Sequence, residues 1–325
     1  MAQDVITGYF GTYFSPESAG IYRFLLHPDT GVLDTPTLWY DAPDSKYLSL
    51  RDGLLAAPLV REGKAGACLL DTRDGTVRGT HYAEHAAACF ILQDETCVYT
   101  ANYHEGSILV YDRRDLSLLR RIETGAHAGC HQLLLHGRFL IAICLLRDEV
   151  LLYDRTREYA LVGTLSFPKG TGPRHGIFDR THTRLYLVTE LSNQLFIFDT
   201  DGEAGFRQRA VYDLLPQGAV WHRPPASAAI RLSPDERFVY VSTRFADVLT
   251  VFRVTPEGAQ RVQQADSGGQ HPRDFVLTRD GRFVLVAHRE SGGLVVLPRD
   301  AESGRLGAVC ARVPAPEAVS IVLQE

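Results

Sequence analysis

The sequence predicts an all-β protein built as one seven-bladed β-propeller. A strand–turn–strand pattern recurs seven times at a nearly constant spacing, and 28 glycines and 16 prolines in 325 residues favour many turns over long helices. Length alone would suggest about two domains, but propellers of this size form one unit. We therefore expect residues 1–325 to form a single domain.

Each repeat is an apolar strand, a polar turn and a second apolar strand. The pattern is clearest in VYTANYHEGSILVYD, LIAICLLRDEVLLYD and LYLVTELSNQLFIFD. The apolar residues near the end of the second strand follow one another at steps of 41 to 54 residues: Phe24, Leu70, Tyr111, Tyr153, Phe198, Phe252 and Leu297. This period is typical of four-stranded propeller blades. The longest step contains YDLLPQGAVWHRPPAS, which predicts an inserted loop.

An earlier strand, such as CHQLLL or RDFVLT, precedes each of the later copies and would be the innermost strand of its blade. One blade cannot bury both faces of its sheet, whereas a closed ring buries them against neighbouring blades and removes most exposed edges. We expect the C-terminal AVSIVLQE to lie beside the N-terminal DVITGYF, so that both termini share one blade. The alternative is an open array of β-sandwich sheets.

The charge pattern argues against two classes of partner. The formal net charge is −5, and the basic residues are scattered, whereas a nucleic-acid-binding protein needs a cationic stripe. The most apolar stretch, 132–153, is interrupted by His-Gly-Arg and Arg-Asp-Glu, which favours short strands over a membrane span. We expect neither a nucleic-acid partner nor membrane insertion, and the sequence does not indicate an oligomeric state.

The cysteines and the N-terminus predict a cytoplasmic location. The sequence begins MAQDVITGYF, without the basic and apolar regions of a signal peptide. Six cysteines are present, none in a C-x-x-C pair, and most lie in apolar runs such as AACFIL. Buried free thiols in a reducing compartment follow from this pattern.

Polar residues are expected to converge at one end of the propeller channel. In each blade the start of the innermost strand and the end of the second strand lie on the same face, because the two strands are antiparallel. Strand ends held by a rigid scaffold suit chemistry. The candidates are His131, Arg174, His175 and Arg273 from the innermost strands, and Tyr103, Glu190, Arg244 and Arg289 from the second strands.

Taken singly, these residues have simpler interpretations. An arginine after proline caps a turn or pairs with a carboxylate, a glutamate at a strand end is solvated or ion-paired, and a histidine lies in the core. Their shared register is what favours a functional interpretation.

No metal or cofactor is expected. The segments 81–85 and 127–131 contain ligand-type residues but lack a helical or cysteine-rich context. There is also no glycine-rich phosphate loop, no serine nucleophile elbow and no Rossmann fingerprint.

The chain resembles the propeller-type 6-phosphogluconolactonase family over nearly its whole length. The motifs occur in order: GTY at 11–13, ANY at 101–103, GPRH at 172–175, TEL at 189–191, LSPDERFVYVSTR at 232–244 and HPRDFVLTRDGRFVLVA at 271–287. The chain departs from the family's pattern at His288-Arg289, at Thr189 and Thr243, and in the second blade around 51–71. These departures bear on the substrate more than on the fold.

The resemblance implies a metal-independent enzyme that hydrolyses the sugar lactone of the oxidative pentose phosphate route. Its substrate would be a small phosphorylated lactone, and the motif positions make His131, Arg174, His175, Glu190, Arg244 and Arg273 the site candidates.

Lactone hydrolysis needs a base near the attacking water and donors near the developing oxyanion. We expect Glu190 to be the base, with His175 polarising the carbonyl or sharing that role. Arg174, Arg244 and Arg273 would hold the phosphate and the oxyanion, with His131, Arg289 and Tyr103 also contacting the substrate. The alternatives are another lactonase or a muconate-type lactonising cyclase, and a non-catalytic binding propeller.

Overall fold

The structure is a computed structural model that describes residues 5–325. Within this range, strands form seven antiparallel sheets, and the helical elements are the short 3₁₀ turns Leu145–Arg147 and Arg155–Arg157. The predicted all-β, seven-bladed propeller is confirmed. Residues 1–4, which the predicted domain includes, lie outside the described residues.

The first three blades follow one another along the chain. The first blade contains β1 (Ile6–Thr12), β2 (Gly20–His27), β3 (Val32–Leu33) and β4 (Thr37–Asp41). The second contains β5 (Ser49–Arg51), β6 (Leu54–Arg61), β7 (Lys64–Asp71) and β8 (Val77–Glu84). The third contains β9 (Phe90–Gln93), β10 (Cys97–Asn102), β11 (Ser107–Asp112) and β12 (Leu118–Glu123).

The remaining blades repeat the same order from the innermost strand outward. The fourth contains β13 (Cys130–His136), β14 (Phe139–Cys144), β15 (Glu149–Asp154) and β16 (Ala160–Ser166). The fifth contains β17 (Pro173–Phe178), β18 (Arg184–Thr189), β19 (Gln194–Thr200) and β20 (Phe206–Asp213). The sixth contains β21 (Ala226–Leu232), β22 (Phe238–Arg244), β23 (Val248–Val254) and β24 (Ala259–Asp266). The seventh contains β25 (Gln270–Leu277), β26 (Phe283–Ser291), β27 (Leu294–Pro298) and β28 (Ala311–Val313).

The last strand, β29 (Ala318–Gln324), returns to the first blade. It pairs antiparallel with β1, from Thr7 opposite Gln324 to Thr12 opposite Ala318, and is the innermost strand of that sheet. The inserted loop occupies 214–225, between β20 and β21.

Apolar contacts between neighbouring blades form the core. The two inner strands of a blade are buried on both faces, as in β14, where all six residues are buried, whereas the outer β16 is largely exposed. Within residues 5–325 each junction between neighbouring blades has its own apolar cluster: Tyr99 and Leu140 pack between the third and fourth blades, and Phe10 and Phe283 between the first and seventh. Burying each such side chain contributes about 1.5–3 kcal/mol.

A buried ion pair ties three blades together beside the channel. Arg231 Nη2 in the sixth blade donates to Asp274 Oδ1 in the seventh at 2.6 Å. The backbone N–H of Ile321 in β29 donates to the other carboxylate oxygen at 3.3 Å. Only 2% of Asp274 is exposed, so this carboxylate couples the strand that closes the ring to two other blades.

Replacing Asp274 with asparagine should therefore destabilise the fold. The substitution keeps the side chain's shape but leaves the Arg231 charge buried without its partner, and breaking a buried pair in this way typically costs about 3 kcal/mol or more. The free energy of unfolding is measured by urea denaturation. The matched control is Glu302→Gln, which removes an exposed carboxylate paired with Arg237 at 3.5 Å and should change stability by less than about 1 kcal/mol. Equal effects of the two substitutions would contradict this role of Asp274.

Candidate active site

The predicted residues gather at one end of the channel, which we call the mouth. Here the innermost strands begin and the second strands end, so Arg174 near the start of β17 lies close to Glu190, which follows β18. In the next blade, Arg244 ends β22 and reaches the same glutamate. Antiparallel pairing within each blade and the ring of blades together produce this convergence.

A tight turn fixes the position of Arg174. Gly172 has a left-handed backbone (φ 64°), and its N–H donates to Asp148 Oδ1 at 2.6 Å. A Cβ at Gly172 would lie 2.6 Å from Leu191 Cγ, so the glycine satisfies both the backbone conformation and the close packing. Asp148 lies in the turn between β14 and β15, so the fourth blade positions the arginine of the fifth.

The position before Arg273, at an irregularity in the pairing of β25, is held in the same way. His271 has a left-handed backbone (φ 61°), and its N–H donates to Asp247 Oδ1 at 2.8 Å. Asp247 lies in the turn between β22 and β23 of the preceding blade. A non-glycine residue in this conformation costs of order 1 kcal/mol and persists only where its surroundings hold it, as the Asp247 carboxylate does here.

A cavity of about 200 Å³ opens at the mouth. It is lined by Tyr13, Lys46, Cys89, Tyr103, His104, His131, Glu190 and Arg273. The lining residues come from equivalent strand ends of several blades. Because the blades are arranged in a ring, these side chains surround one small space.

Glu190 is the acidic centre of this cluster. Arg174 Nε donates to Glu190 Oε2 at 2.7 Å, and Arg244 Nη2 lies 2.7 Å from the same oxygen. Both arginines also donate to backbone carbonyls of β21, Arg174 to Ala228 at 2.6 Å and Arg244 to Ala226 at 3.0 Å. The carboxylate is therefore held rigidly through one oxygen, while the other remains available to a ligand.

The cations keep this carboxyl group ionised. Burial raises the pKa of Glu190, but the charges of Arg174, Arg244 and Arg273 outweigh burial and lower it below its usual value. Burial also lowers the pKa of Arg174 to about 9, with Arg273 adding to the effect. At neutral pH both partners of the Arg174–Glu190 pair remain charged.

Two histidines lie at the mouth. His131 lines the cavity, and His175, only 2% exposed, lies behind it with His175 Nε2 3.2 Å from His131 Nδ1. The rings of Tyr47 and Phe90 meet His175 nearly edge-on. Burial and the nearby arginines lower the pKa of both histidines well below the usual range, so both rings are neutral at pH 7.

Two cations of the mouth lack an acidic partner. Arg273 Nη2 donates to the Tyr13 hydroxyl at 3.3 Å, and Lys46 Nζ lies 5.4 Å from the centre of the same ring. Among residues 5–325, neither cation forms an ion pair with a carboxylate. With Arg174 and Arg244, four cations surround the single carboxylate of Glu190, and this surplus of positive charge favours an anionic ligand.

The structure brings most of the predicted site residues together. Tyr103, His131, Glu190 and Arg273 line the cavity, and Arg174, His175 and Arg244 are buried in contact with these lining residues. Arg289 lies apart from the lining: its Nε donates to Glu317 Oε2 at 2.9 Å, and its guanidinium lies 4.2 Å from the Tyr13 ring centre. The chemical roles of these residues remain predictions.

Sequence reasoning missed Tyr13, Lys46, Cys89 and His104. A signal for Tyr13 was present, because it follows the end of β1 just as Tyr103 follows the end of β10. Lys46 precedes the second blade's innermost strand at the place of His131 in the fourth, but the repeat is weakest in the first two blades.

Two further features of the described residues bear on the predictions. Between residues 5 and 325, no group of three or more His, Cys, Asp or Glu side chains is placed to hold a metal ion. No helix in the same range has the length and apolar character needed to cross a membrane.

The fold and the mouth define a propeller enzyme with a small, positively charged site at one end of its channel. The chain belongs to the family described as "Lactonase, 7-bladed beta-propeller", whose model matches residues 7–323. The resemblance found in the sequence is thereby confirmed, and the chain is an enzyme of the lactonase class.

Individual relatives agree with this assignment. The chain is 29% identical to the 6-phosphogluconolactonase of Bacillus subtilis over 344 residues, with 97% of each chain covered. A solved structure from Lactobacillus plantarum superimposes with a TM-score of 0.91 at 28% identity, covering 99% of this chain and 100% of that one. The periplasmic gluconolactonase of Pseudomonas aeruginosa has a TM-score of 0.88 at 25% identity, with 99% of each chain covered.

The buried histidines should make stability fall as the solution becomes mildly acidic. Burial lowers the pKa of His271 and of His288 to about 4, while the pKa of a histidine in the unfolded chain is about 6.5. Between these values the unfolded chain binds more protons, so the free energy of unfolding should decrease as the pH falls, by up to about 1.4 kcal/mol per pH unit for each histidine. Urea denaturation between pH 7.5 and 4.5 measures this slope.

His288→Gln should make that slope shallower, whereas replacing the exposed His222 with glutamine should leave it unchanged. Stability that stays constant as the pH falls from about 6.5 to about 5 would contradict the neutral burial of these histidines.

Proposed function

We propose that the protein hydrolyses 6-phospho-D-glucono-1,5-lactone to 6-phosphogluconate. The observation that carries the proposal is that one cavity contains an ionised carboxylate, Glu190, and two cations, Lys46 and Arg273, that form no ion pair with a carboxylate of residues 5–325. This arrangement offers one group to activate water and two to hold a phosphate. The name of the Bacillus subtilis relative, 6-phosphogluconolactonase, supports this substrate.

In the proposed reaction, the oxygen of a water molecule adds to the lactone carbonyl carbon, and Glu190 takes the water's proton. Arg174 and Arg244 both contact Oε2, which leaves Oε1 as the oxygen that receives the proton. The C=O bond of the tetrahedral intermediate then re-forms as its ring C–O bond breaks, and the protonated Glu190 returns its proton to the ring oxygen, which gives the open acid and restores the carboxylate. No covalent intermediate and no metal are needed.

The low pKa of Glu190 has a chemical consequence. An ionised carboxylate of low basicity removes a proton late, when the water oxygen has already begun to bond to the carbonyl carbon. The reaction therefore depends strongly on donors that stabilise the developing oxyanion. A neighbourhood rich in cations and neutral N–H groups supplies such donors.

Phosphate recognition is assigned to Lys46 and Arg273. A lysine ammonium acts as a compact charge, and an arginine guanidinium offers a planar fork that suits phosphate oxygens. Both lie close to Tyr13 and line the same cavity as Glu190, so a phosphate bound by them would be fixed relative to Glu190. The predicted contact with Arg289 would be indirect, through its stacking on Tyr13.

The proposal places the enzyme in the cytoplasm. All six cysteines are free, and three of them are buried, which suits a reducing compartment. The Pseudomonas aeruginosa neighbour is named as periplasmic, so location differs among proteins of this fold.

Glu190→Gln should lower kcat on the phosphorylated lactone by at least about 100-fold, because the amide keeps the shape but cannot accept the proton. Spontaneous hydrolysis is subtracted, and the assay is repeated with a chelator. The matched control is Glu149→Gln, which alters a carboxylate of the fourth blade that pairs with Arg147 and does not line the cavity. Binding of 6-phosphogluconate, measured by calorimetry, shows whether the site remains folded. A folded Glu190→Gln variant with near-normal kcat would rule out Glu190 as the base.

Arg273→Ala and Lys46→Ala should each raise KM for the phosphorylated lactone by about 10-fold or more, and should leave KM for unphosphorylated glucono-1,5-lactone within a few-fold. The reason is that a charge-assisted hydrogen bond contributes about 1.5–3 kcal/mol only where its partner is present. Arg207→Ala, which removes an exposed cation of β20, serves as the control. Equal losses on both substrates would contradict the phosphate assignment and favour another lactone or a muconate-type cyclase reaction.

A further inference from the structure

The two histidines of the mouth share one hydrogen bond, and this fixes a relation between their tautomers. The ring nitrogens His175 Nε2 and His131 Nδ1 lie 3.2 Å apart, and the ring centres 5.0 Å apart at 64°. Because both rings are neutral, one of the two facing nitrogens carries the proton and the other accepts it. The tautomer of His131 therefore depends on which nitrogen of His175 is protonated.

The surroundings of His175 decide between the two arrangements. Its other nitrogen, Nδ1, is buried and has no hydrogen-bond partner among residues 5–325. A buried N–H without an acceptor is rarer in proteins than an unpaired acceptor. The proton of His175 thus belongs on Nε2.

Protonation of His175 at Nε2 determines the tautomer of His131. Since His175 Nε2–H donates to Nδ1 of His131, the proton of His131 lies on Nε2. Nδ1 is already engaged, so Nε2 is the ring nitrogen left for a ligand in the cavity, which His131 lines together with Glu190 and Tyr103. The site therefore presents a neutral N–H donor in the same cavity as its base.

We propose that His131 donates its Nε2–H to the carbonyl oxygen of the substrate, and that His175 is a positioning residue that holds His131 in this tautomer. The proposal rests on the lactonase function proposed above and assigns the oxyanion donor of that reaction. When water adds to the carbonyl carbon, the π electrons of the C=O bond move to oxygen, and the N–H of His131 stabilises the resulting negative charge without transferring its proton.

Burial, together with the charges of Arg174, Arg273 and Arg244, lowers the pKa of His131, which keeps the ring in the neutral form that this role requires. Glu190 itself is already satisfied at Oε2 by Arg174 and Arg244. Burial and the arginines together keep the imidazole of His131 neutral, while the arginines keep the carboxyl group of Glu190 ionised.

The direct test is nuclear magnetic resonance of the full-length protein with ¹⁵N-labelled histidine. Two-bond ¹H–¹⁵N correlations at pH 7 distinguish an Nε2–H ring from an Nδ1–H ring, with assignment by His131→Gln and His175→Gln. We expect the Nε2–H tautomer for both rings. An Nδ1–H tautomer, or a protonated imidazolium, at His131 would overturn the proposal. This readout does not depend on turnover, so its outcome is separate from that of the lactonase proposal.

Kinetics provide the second test, with a pair of variants at His175. The amide nitrogen of His175→Gln can occupy the place of Nε2 and donate to His131, whereas His175→Leu cannot. We expect His175→Leu to lower kcat by about 10-fold or more with little change in KM, and His175→Gln to restore most of the loss. His131→Ala should lower kcat by about 100-fold, as for the loss of one oxyanion donor.

A packing role alone would affect the thermal stability of the leucine and glutamine variants but not their kcat in this order. Equal kcat values in the two variants would overturn the positioning role of His175. If the leucine variant fails to fold, the comparison of His175→Gln with the wild type, together with the tautomer measurement, still decides the question.

Discussion

Every feature of this protein depends on the need to bury both faces of each blade. A four-stranded sheet with two apolar faces is stable only between two similar sheets. Seven such sheets bury all of their apolar faces only when they form a closed ring. The apolar clusters between neighbouring blades show this requirement met at every junction of the described chain. The pairing of β29 with β1 and the buried carboxylate of Asp274 fasten the ring where the chain itself does not continue.

Closing the ring also brings like charges together. Arg174, Arg244 and Arg273 belong to three different blades. Closure of the ring around the channel places all three charges close enough to Glu190 to act on its pKa. The fold holds this arrangement through aspartates that accept from the backbone just before β17 and at the start of β25, and through backbone carbonyls of β21. An anionic ligand at the mouth would offset the remaining repulsion between these arginines.

The positive charge of these arginines also helps to explain why the carboxylate is ionised while the two histidines are neutral. Positive charge favours the ionised form of an acid and disfavours that of a base. The arginines therefore keep Glu190 charged, and burial together with the same arginines keeps His131 neutral. The Glu190 carboxylate can therefore act as a proton acceptor in the same cavity in which His131 is a neutral N–H donor. The chemistry available at the mouth depends on the opposite effects that one environment has on the protonation of Glu190 and of His131.

The sequence by itself determined the blade count, the inserted loop and most of the mouth, because a regular repeat places equivalent strand ends in equivalent positions. Glu190, Arg174 and Arg244 were found in this way, and their contacts with one another follow from antiparallel pairing. Tyr13 and Lys46 were missed because the repeat is weakest in the first two blades, and which strand is innermost in the first blade depends on the return of β29. Only the tertiary structure decided which residues line the cavity and which lie behind it, as His175 lies behind His131. That difference arises because burial and hydrogen-bond direction at the axis depend on side chains from several blades at once, and a linear pattern does not contain those contacts.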